Sequence, residues 1–238
     1  MTKKTSTVEL FSGTGSFSNV AKEKGFDTFT VELDQKFNPD LCKDILEVQR
    51  EDLPKKIDIL WCSPPCTTFS VASLRWYWTK GKPKNYKTWH GISMVLKTLD
   101  LINEIKKDNP GLIWFIENPR GMLRKQKFMQ ELNRVTVSYC QYGFDIMKPT
   151  DIWTNLTSWT GRLCKPRDKC HQPAPRSTKQ GLQNINEKAF AKNKFAYLVK
   201  GGGNNSKFRS VIPPALFEEI LLDISNKKLN EDDKHEKN

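Results

Sequence analysis

The sequence lacks the usual marks of a membrane or secreted protein. Its 238 residues contain no apolar run that approaches the length of a membrane span, and its first residues, Met1-Thr2-Lys3-Lys4, are not an apolar secretory signal. Its six cysteines are spread too widely along the chain to indicate a disulfide framework. We therefore expect no membrane partner and a reducing, cytoplasmic location.

Acidic residues are also scarce relative to basic ones. Lysine and arginine number 39 against 27 aspartates and glutamates, which gives a formal net charge of +12. A surplus of this size predicts a polyanionic partner, and we expect that partner to be nucleic acid. The chain length is typical of one domain, or of one domain with a small appendage.

Strand and helix patterns alternate through the first two-thirds of the chain. This alternation predicts an α/β fold with a doubly wound, parallel sheet. The segment 156–206 is rich in Gly, Pro, Lys and Asn, so we expect a small irregular region inserted into a domain formed by 1–155 and 207–224. We expect the charged tail at 225–238 to be disordered. The predicted strands are 7–11, 27–33, 57–62, 112–116, 135–140 and 151–154, and the predicted helices are 17–24, 91–107, 126–132 and 215–224.

A cysteine stands just past the third predicted strand. The run Cys62-Ser63-Pro64-Pro65-Cys66 follows the apolar segment 57–61, and its two prolines fix the backbone where the strand ends. Open α/β sheets build their active sites at the carboxyl ends of the strands. Cys66 is therefore a candidate nucleophile, and its position alone leaves a buried structural thiol as the alternative.

A glycine-containing turn, Phe11-Ser12-Gly13-Thr14-Gly15-Ser16, lies between the first predicted strand and the first helix. Glycines allow the backbone to approach a ligand closely, and the helix N-terminus supplies N–H groups. Glu32 ends the second strand, where a carboxylate can accept both hydroxyls of a ribose, and Asp44 could accept from an adenine amino group. The chain lacks a phosphate-binding loop and the third glycine of a dinucleotide fingerprint, which favours S-adenosylmethionine over ATP or NAD.

A second acid, Glu117, directly follows the buried apolar run 112–116. A carboxylate at the end of a central strand is expected to lie at the cofactor crevice. Because Cys66 ends another strand of the same sheet, Glu117 is a candidate acid that faces the nucleophile.

Together these segments resemble the DNA (cytosine-5)-methyltransferase family, of the small kind encoded by phages and viruses. The matches come in family order, and the proline–cysteine loop with the downstream Glu117-Asn118 pair is the most specific part. The matching segments are Phe11-x-Gly13-x-Gly15, Glu32, Asp44, Ser63-Pro64-Pro65-Cys66-Thr67-Thr68-Phe69-Ser70, Glu117-Asn118, Tyr142-Gly143 with Lys148, and Ser210-Val211-Ile212-Pro213-Pro214-Ala215-Leu216.

The resemblance implies the Rossmann-like fold of a class I S-adenosylmethionine-dependent methyltransferase. It implies transfer of a methyl group to C5 of cytosine in DNA, through a covalent Cys66 adduct on a flipped base. It also implies that 156–206 recognises the target and that the protein acts on DNA in the cytoplasm of a host. The implied catalytic residues are Cys66, Glu117 and Lys148, and the implied cofactor-binding residues are Phe11, Gly13, Gly15, Ser16, Glu32, Asp44 and Pro65.

Cations and aromatic rings are interleaved in the segment 75–89. This segment follows residues 63–70, which carry Cys66 and are called the nucleophile loop below. Cations can meet phosphates while aromatic rings stack on exposed bases. The irregular region is also basic, and arginine can read guanine through two hydrogen bonds. The residues expected to contact DNA are Arg75, Trp76, Trp78, Arg162 and Arg176. We also expect the protein to be a monomer.

Three side chains that could bind a metal, Cys164, Cys170 and His171, lie close together in the irregular region. Their spacing is not that of a standard zinc finger, and a structural zinc site needs four ligands. A fourth would have to come from Cys140 or His90, elsewhere in the fold. We therefore predict that these cysteines pack as small apolar residues and that the chain binds no metal.

Two other functions remain open on the sequence. The same chemistry could act on RNA or on a pyrimidine nucleotide, because the irregular region is short for target recognition in DNA. A nucleic-acid-binding protein with a decayed active site would account for Lys148 and Thr150, where the family usually has two arginines. Methylation of an exocyclic amine is disfavoured, since those enzymes have an aromatic residue after Ser-Pro-Pro and this chain has Cys66.

Overall fold

The computed structural model of the protein describes residues 4–144, 147–165, 168–170 and 211–235, with side chains in the last helix described as far as Lys227. These residues form a central sheet, a small hairpin and several helices. The strands are β1 (Ser6–Leu10), β2 (Asp27–Glu32), β3 (Leu41–Cys42), β4 (Ile59–Cys62), β5 (Trp78–Thr79), β6 (Lys82–Pro83), β7 (Ile113–Pro119), β8 (Arg134–Ser138) and β9 (Pro149–Thr154). The α-helices are α1 (Ser16–Glu23), α2 (Leu74–Tyr77), α3 (Tyr86–Asp108), α4 (Lys127–Gln130) and α5 (Pro214–His235).

The central sheet has seven strands in the order β3-β2-β1-β4-β7-β9-β8. The pairs from β3 to β7 are parallel, whereas β9 is antiparallel to both of its neighbours. The predicted parallel, doubly wound sheet is therefore confirmed from β3 to β7, and β9 is the exception. The physical reason is the connection 139–148, because it is shorter than the dozen or more residues that a parallel crossover needs.

Helices cover both faces of the sheet and enclose two hydrophobic clusters. Along β4, Leu60 and Cys62 pack into the cluster that contains α3, while Ile59 and Trp61 pack into the cluster that contains α1 and α5. A strand buried on both faces is apolar at successive positions, which explains why the sequence around β4 shows no polar alternation. The doubly wound α/β architecture that the sequence predicts is confirmed.

Two helices are longer than their periodicity predicts. α3 begins at Tyr86 rather than at residue 91, because the Asn85 side chain caps the helix by accepting from the backbone N–H of Thr88 at 3.1 Å. α5 continues to His235, so most of the predicted disordered tail from 225 onward is helical. That stretch contains no glycine or proline to end a helix, and its charged residues are compatible with one.

The predicted irregular region begins inside the core of the domain. Leu156 and Trp159 are buried in the cluster that contains α5, and the Trp159 indole N–H donates to Glu219 Oε1 at 3.0 Å. The rest of that region, from 171 to 206, lies outside the described residues. Within the described parts of the chain, no helix is both long and apolar enough to cross a membrane.

Candidate active site

The glycine turn joins the end of β1 to the start of α1 through an unusual backbone. Phe11, Gly13 and Gly15 have φ angles of 59°, 50° and 71°, and Gly15 is the N-cap of α1. A positive φ is uncommon for a phenylalanine and is often found at functional sites, where the surrounding structure holds the strain. The turn therefore combines two glycines, which adopt this backbone readily, with a strained Phe11.

The two acids predicted to hold an adenosyl group lie beside this turn. Glu32 Oε2 accepts from the backbone N–H of Gly13 at 2.8 Å, and its other oxygen accepts from two backbone N–H groups just after β2. Asp44 caps the short 3₁₀ turn Ile45–Glu47. Both carboxylates are half-buried, and both line the same small cavity.

Two adjoining cavities run along the carboxyl ends of the parallel strands. The larger has a volume of about 490 Å³ and the smaller about 120 Å³, and Phe11 and Pro65 line both. The structure brings together every predicted catalytic and cofactor residue except Gly15, which acts as a helix cap instead. The larger cavity is lined by Phe11, Gly13, Ser16, Pro65, Cys66, Glu117 and Lys148, among others, and the smaller by Phe11, Glu32, Asp44 and Pro65.

The nucleophile loop is anchored to the neighbouring strands. The side-chain amide of Asn118 donates to the carbonyl of Pro64 at 3.0 Å in a buried hydrogen bond, and the backbone N–H of Ser63 donates to Leu10 O at 3.3 Å. Cys66 begins the 3₁₀ turn Cys66–Thr68 and lines the larger cavity. The nearby Cys62 is instead sealed in the core, where burial raises the pKa of its thiol well above the usual value.

The loop after Cys66 packs against two glycines that leave no space for a side chain. A Cβ built on Gly121 would lie 2.1 Å from the carbonyl oxygen of Phe69, and a Cβ on Gly91 of α3 would lie 2.4 Å from Thr68 Oγ1. The backbone N–H of Met122 also donates to the Phe69 carbonyl, at 2.8 Å. These contacts hold the loop against the domain on both sides.

Glu117 lies at the end of β7 with its carboxyl buried. The hydroxyl of Tyr139 donates to Glu117 Oε1 at 2.8 Å. Burial raises the pKa of Glu117, and the nearby Lys148 and the Tyr139 hydrogen bond only partly oppose this effect. Lys148 places its Nζ 4.6 Å from the centroid of the Tyr139 ring. A protonated carboxyl in the same cavity as a thiol can act as a general acid towards a substrate bound between them.

A further acid, Glu9, was not singled out in the sequence although it lines the larger cavity. Its buried carboxylate accepts from the backbone N–H groups of Phe17 and Ser18 at 3.1 and 2.8 Å, and from the Ser18 hydroxyl at 2.5 Å. It thereby satisfies N–H groups in the first turn of α1. Burial is the largest influence on Glu9 and raises its pKa from 4.5 to about 6.

The predicted DNA contacts differ in their exposure. Trp76 is 60% exposed, and the exposed Arg75 places its guanidinium 4.6 Å from the Trp76 ring centroid. Trp78 is only 7% exposed, because its indole N–H donates to Thr68 O at 2.6 Å and its ring packs beside Phe69. Trp78 therefore supports the nucleophile loop, and its prediction as a DNA-stacking residue was wrong.

The other two predicted DNA contacts lie in the irregular region. The Arg162 guanidinium forms an ion pair with Glu219 of α5 at 2.5 Å and lies over the Tyr142 ring. These contacts give Arg162 a structural role that its position in a basic segment does not indicate. Its side chain is still 59% exposed, so the assignment of Arg162 to DNA stays a prediction. Arg176 lies outside the described residues.

The cysteines of the irregular region are joined by a third from the main domain. The Sγ atoms of Cys140, Cys164 and Cys170 lie within 4.8 Å of one another. Burial and the two neighbouring thiols raise the pKa of Cys140. His90, which the sequence offered beside Cys140 as a possible fourth ligand, lines the smaller cavity instead. His171 lies outside the described residues. The three thiols are close enough to one another to reach a single metal ion.

Sequence reasoning assigned no role at the two cavities to Glu9, Tyr139 or His90. Glu9 is a lone acid in the strand Ser6–Leu10, a pattern that indicates a buried carboxylate with a specific partner. Tyr139 and His90 have no local signal, because their contacts with the site come from distant parts of the chain. Only the tertiary structure identifies them.

The comparisons with known proteins point to one family. The family model described as C-5 cytosine-specific DNA methylase matches residues 5–160. The chain is 24% identical, over 221 residues, to the "Probable DNA (cytosine-5)-methyltransferase" of Frog virus 3 (isolate Goorha), a match that covers 90% of this chain and 97% of that protein.

Solved structures with some likeness to the chain include two methyltransferases. The S. pombe Dnmt2 methyltransferase is 15% identical with a TM-score of 0.44, and the match covers 64% of this chain and 49% of that one. The Entamoeba histolytica methyltransferase EhMeth is 14% identical with a TM-score of 0.44, over 72% of this chain and 58% of that one. The chain thus spans about half the length of these solved structures.

We predict that Gly121→Ala disrupts the nucleophile loop. Because the new Cβ meets a backbone carbonyl, the variant should lose at least about 2 kcal/mol of unfolding free energy and most of its activity. Gly111→Ala is the matched control, since a Cβ there meets no atom within 4 Å, and it should stay within about 0.5 kcal/mol of the wild type. Equal stabilities for the two variants, measured by urea unfolding, would contradict the described packing.

We also predict a pH-dependent contribution of Glu9 to stability. Its pKa is about 6 in the folded state against 4.5 unfolded, so its contribution is complete below pH 4.5 and is lost as the pH rises through 6. The loss amounts to about 2 kcal/mol. Glu9→Gln cannot titrate, so the difference in unfolding free energy between wild type and variant should change by about that amount between pH 4.5 and about pH 7.5. A constant difference across this range would refute the assignment.

Proposed function

Since the chain belongs to the C-5 cytosine-specific DNA methylase family, we propose that it transfers a methyl group from S-adenosylmethionine to C5 of cytosine in DNA, with Cys66 as the nucleophile. One observation carries this proposal. Cys66 and the buried acid Glu117 line a single cavity, which adjoins a smaller cavity lined by the two acids Glu32 and Asp44.

The residues of the two cavities fit an adenosyl cofactor. In the smaller cavity, the carboxylates of Glu32 and Asp44 can accept from the hydroxyl and amino groups of an adenosine, and they would oppose the phosphates of a nucleotide. The left-handed backbone at Gly13, which lines the larger cavity, allows a ligand to approach the backbone closely. When bound, S-adenosylmethionine supplies an electrophilic methyl group.

Cys66 supplies the electrons that cytosine lacks at C5. Its thiolate adds to C6 of the ring, and the new S–C6 bond leaves C5 with enamine character. C5 would then bond to the methyl group of the cofactor as the S–CH3 bond breaks. Solvent water would take the C5 proton, and the electrons of the C5–H bond would re-form the C5=C6 double bond and expel the Cys66 thiolate. The loop that carries Cys66 is anchored by Asn118 and packed against Gly121, so the thiol has a defined position from which to attack.

Glu117 stabilises the charge that develops during this addition. As Cys66 bonds to C6, negative charge moves onto the ring, and a protonated Glu117 can donate to N3. The raised pKa of Glu117, caused by its burial, favours the protonated carboxyl that this donation needs. Tyr139 positions the carboxyl through its 2.8 Å hydrogen bond, and Lys148 is close enough to interact with the same group.

The surface beside Cys66 suits an exposed nucleic-acid strand. Trp76 and Trp89 are more than half exposed, and they alternate with exposed lysines and with Arg75. Rings of this kind stack on unpaired bases while the cations neutralise phosphates, as flipping of the target base requires. The net charge of +12 supports the same partner. We further propose that the protein acts as a monomer in the host cytoplasm and that 156–206 contributes to target recognition.

Covalent trapping tests this mechanism. The protein is incubated with S-adenosylmethionine and a mixed-sequence DNA duplex that contains 5-fluorocytosine, and the products are separated on a denaturing gel. Fluorine at C5 cannot leave as a proton does, so the adduct should persist. Cys66→Ala should abolish the adduct and reduce methyl transfer to ordinary DNA by at least about 10³-fold.

Cys42→Ala is the matched control, because Cys42 is an exposed thiol on β3 and lines neither cavity. This variant should form the adduct at the wild-type rate. An adduct that survives in folded Cys66→Ala would contradict the assigned nucleophile. An adduct with RNA alone, or none despite measurable duplex binding, would contradict DNA as the substrate.

A further inference from the structure

Three cysteines outside the proposed active site form a compact cluster. The Sγ atoms of Cys140 and Cys164 are 3.2 Å apart, those of Cys140 and Cys170 are 3.6 Å apart, and all three lie within 4.8 Å of one another. Tetrahedral zinc with Zn–S bonds of about 2.3 Å places its sulfurs about 3.8 Å apart. The cluster is therefore close to the geometry that three thiolate ligands of one ion would have.

The ligand positions are fixed by separate chain segments. Cys140 lies in the 3₁₀ turn Tyr139–Tyr142, directly after β8. The backbone N–H of Cys164 donates to the Ser138 hydroxyl at 3.2 Å, which holds the irregular region beside the end of that strand. Close before Cys170 in the chain, the Lys165 backbone N–H donates to the Asp168 carboxylate at 2.6 Å.

The surroundings of the cluster suit bound thiolates. Cys140 and Cys164 are buried, whereas Cys170 is exposed, so the cluster lies at the surface with one side open to an entering ion. The side-chain amide of Gln141 donates to Cys170 Sγ at 3.1 Å, an interaction that stabilises negative charge on sulfur. Soft sulfur ligands select zinc over calcium or magnesium, which require oxygen.

We propose that Cys140, Cys164 and Cys170 are three ligands of a bound zinc ion that fastens the start of the irregular region to the end of β8. Zinc coordination has a fourth position, which water or a further ligand fills. The ion would hold the chain next to Tyr139, whose hydroxyl donates to Glu117. The site thus links the predicted target-recognition region to the acid of the active site, although zinc binding itself does not depend on methyl transfer.

Metal analysis of the full chain tests the proposal. The protein is purified under reducing conditions from cells supplied with zinc, and its metal content is measured by mass spectrometry. The wild type should hold about one zinc per chain, whereas Cys170→Ser should hold less than about a tenth of that. Cys42→Ser is the matched control, since Cys42 and Cys170 are both exposed thiols, and it should retain the full equivalent.

Cobalt substitution identifies the ligands in folded protein, so a variant that folds poorly does not affect the result. Co²⁺ in the folded wild type should give the charge-transfer and visible absorption of a tetrahedral thiolate site, and the bands should weaken in folded Cys170→Ser. The proposal is overturned if wild-type protein binds no zinc even after reconstitution, or if Cys170→Ser keeps a full equivalent. The proposal would also be overturned if the cysteines held an iron–sulfur cluster, or if Cys140 and Cys164 formed a disulfide in protein purified under reducing conditions.

Discussion

The hydrogen bond from the Asn118 side chain to the Pro64 carbonyl fixes the geometry on which the proposed chemistry depends. It is buried, it is 3.0 Å long, and it joins β7 to the loop that carries Cys66. Glu117 precedes Asn118 on the strand, so the same residue pair places the acid and orients the nucleophile loop. Gly121 extends this coupling, because its close approach to Phe69 lets the chain after β7 pack against the far side of the loop.

The architecture is largely predictable because its determinants are local. β4 and β7 are apolar at successive positions, since helices bury both faces of the sheet, and the glycine turn marks the junction between β1 and α1. The direction of β9 is not encoded in its own residues, which would suit a strand running either way. It follows from the short connection after β8, whose consequence is visible only once the pairing of the strands is known.

The sequence predicts site residues that belong to motifs, as at Cys66 and Glu117. It predicts less well the residues whose role depends on contacts with distant parts of the chain. Trp76 and Trp78 are two residues apart in one aromatic segment, yet one is exposed and the other donates to Thr68 O beneath the nucleophile loop. Arg162 lies in a basic segment and pairs with Glu219. In each case the partner comes from elsewhere in the fold, so composition alone cannot assign the role.

The most direct test of the account is the position of the methyl group in the product. The protein is incubated with duplex DNA and S-adenosylmethionine labelled in its methyl group, and the DNA is then digested to nucleosides that are separated and identified by mass spectrometry. We predict label in 5-methylcytosine. Label in N4-methylcytosine, or in adenine, would contradict the role of Cys66, and so would the absence of transfer to DNA by a protein that binds both the cofactor and the duplex.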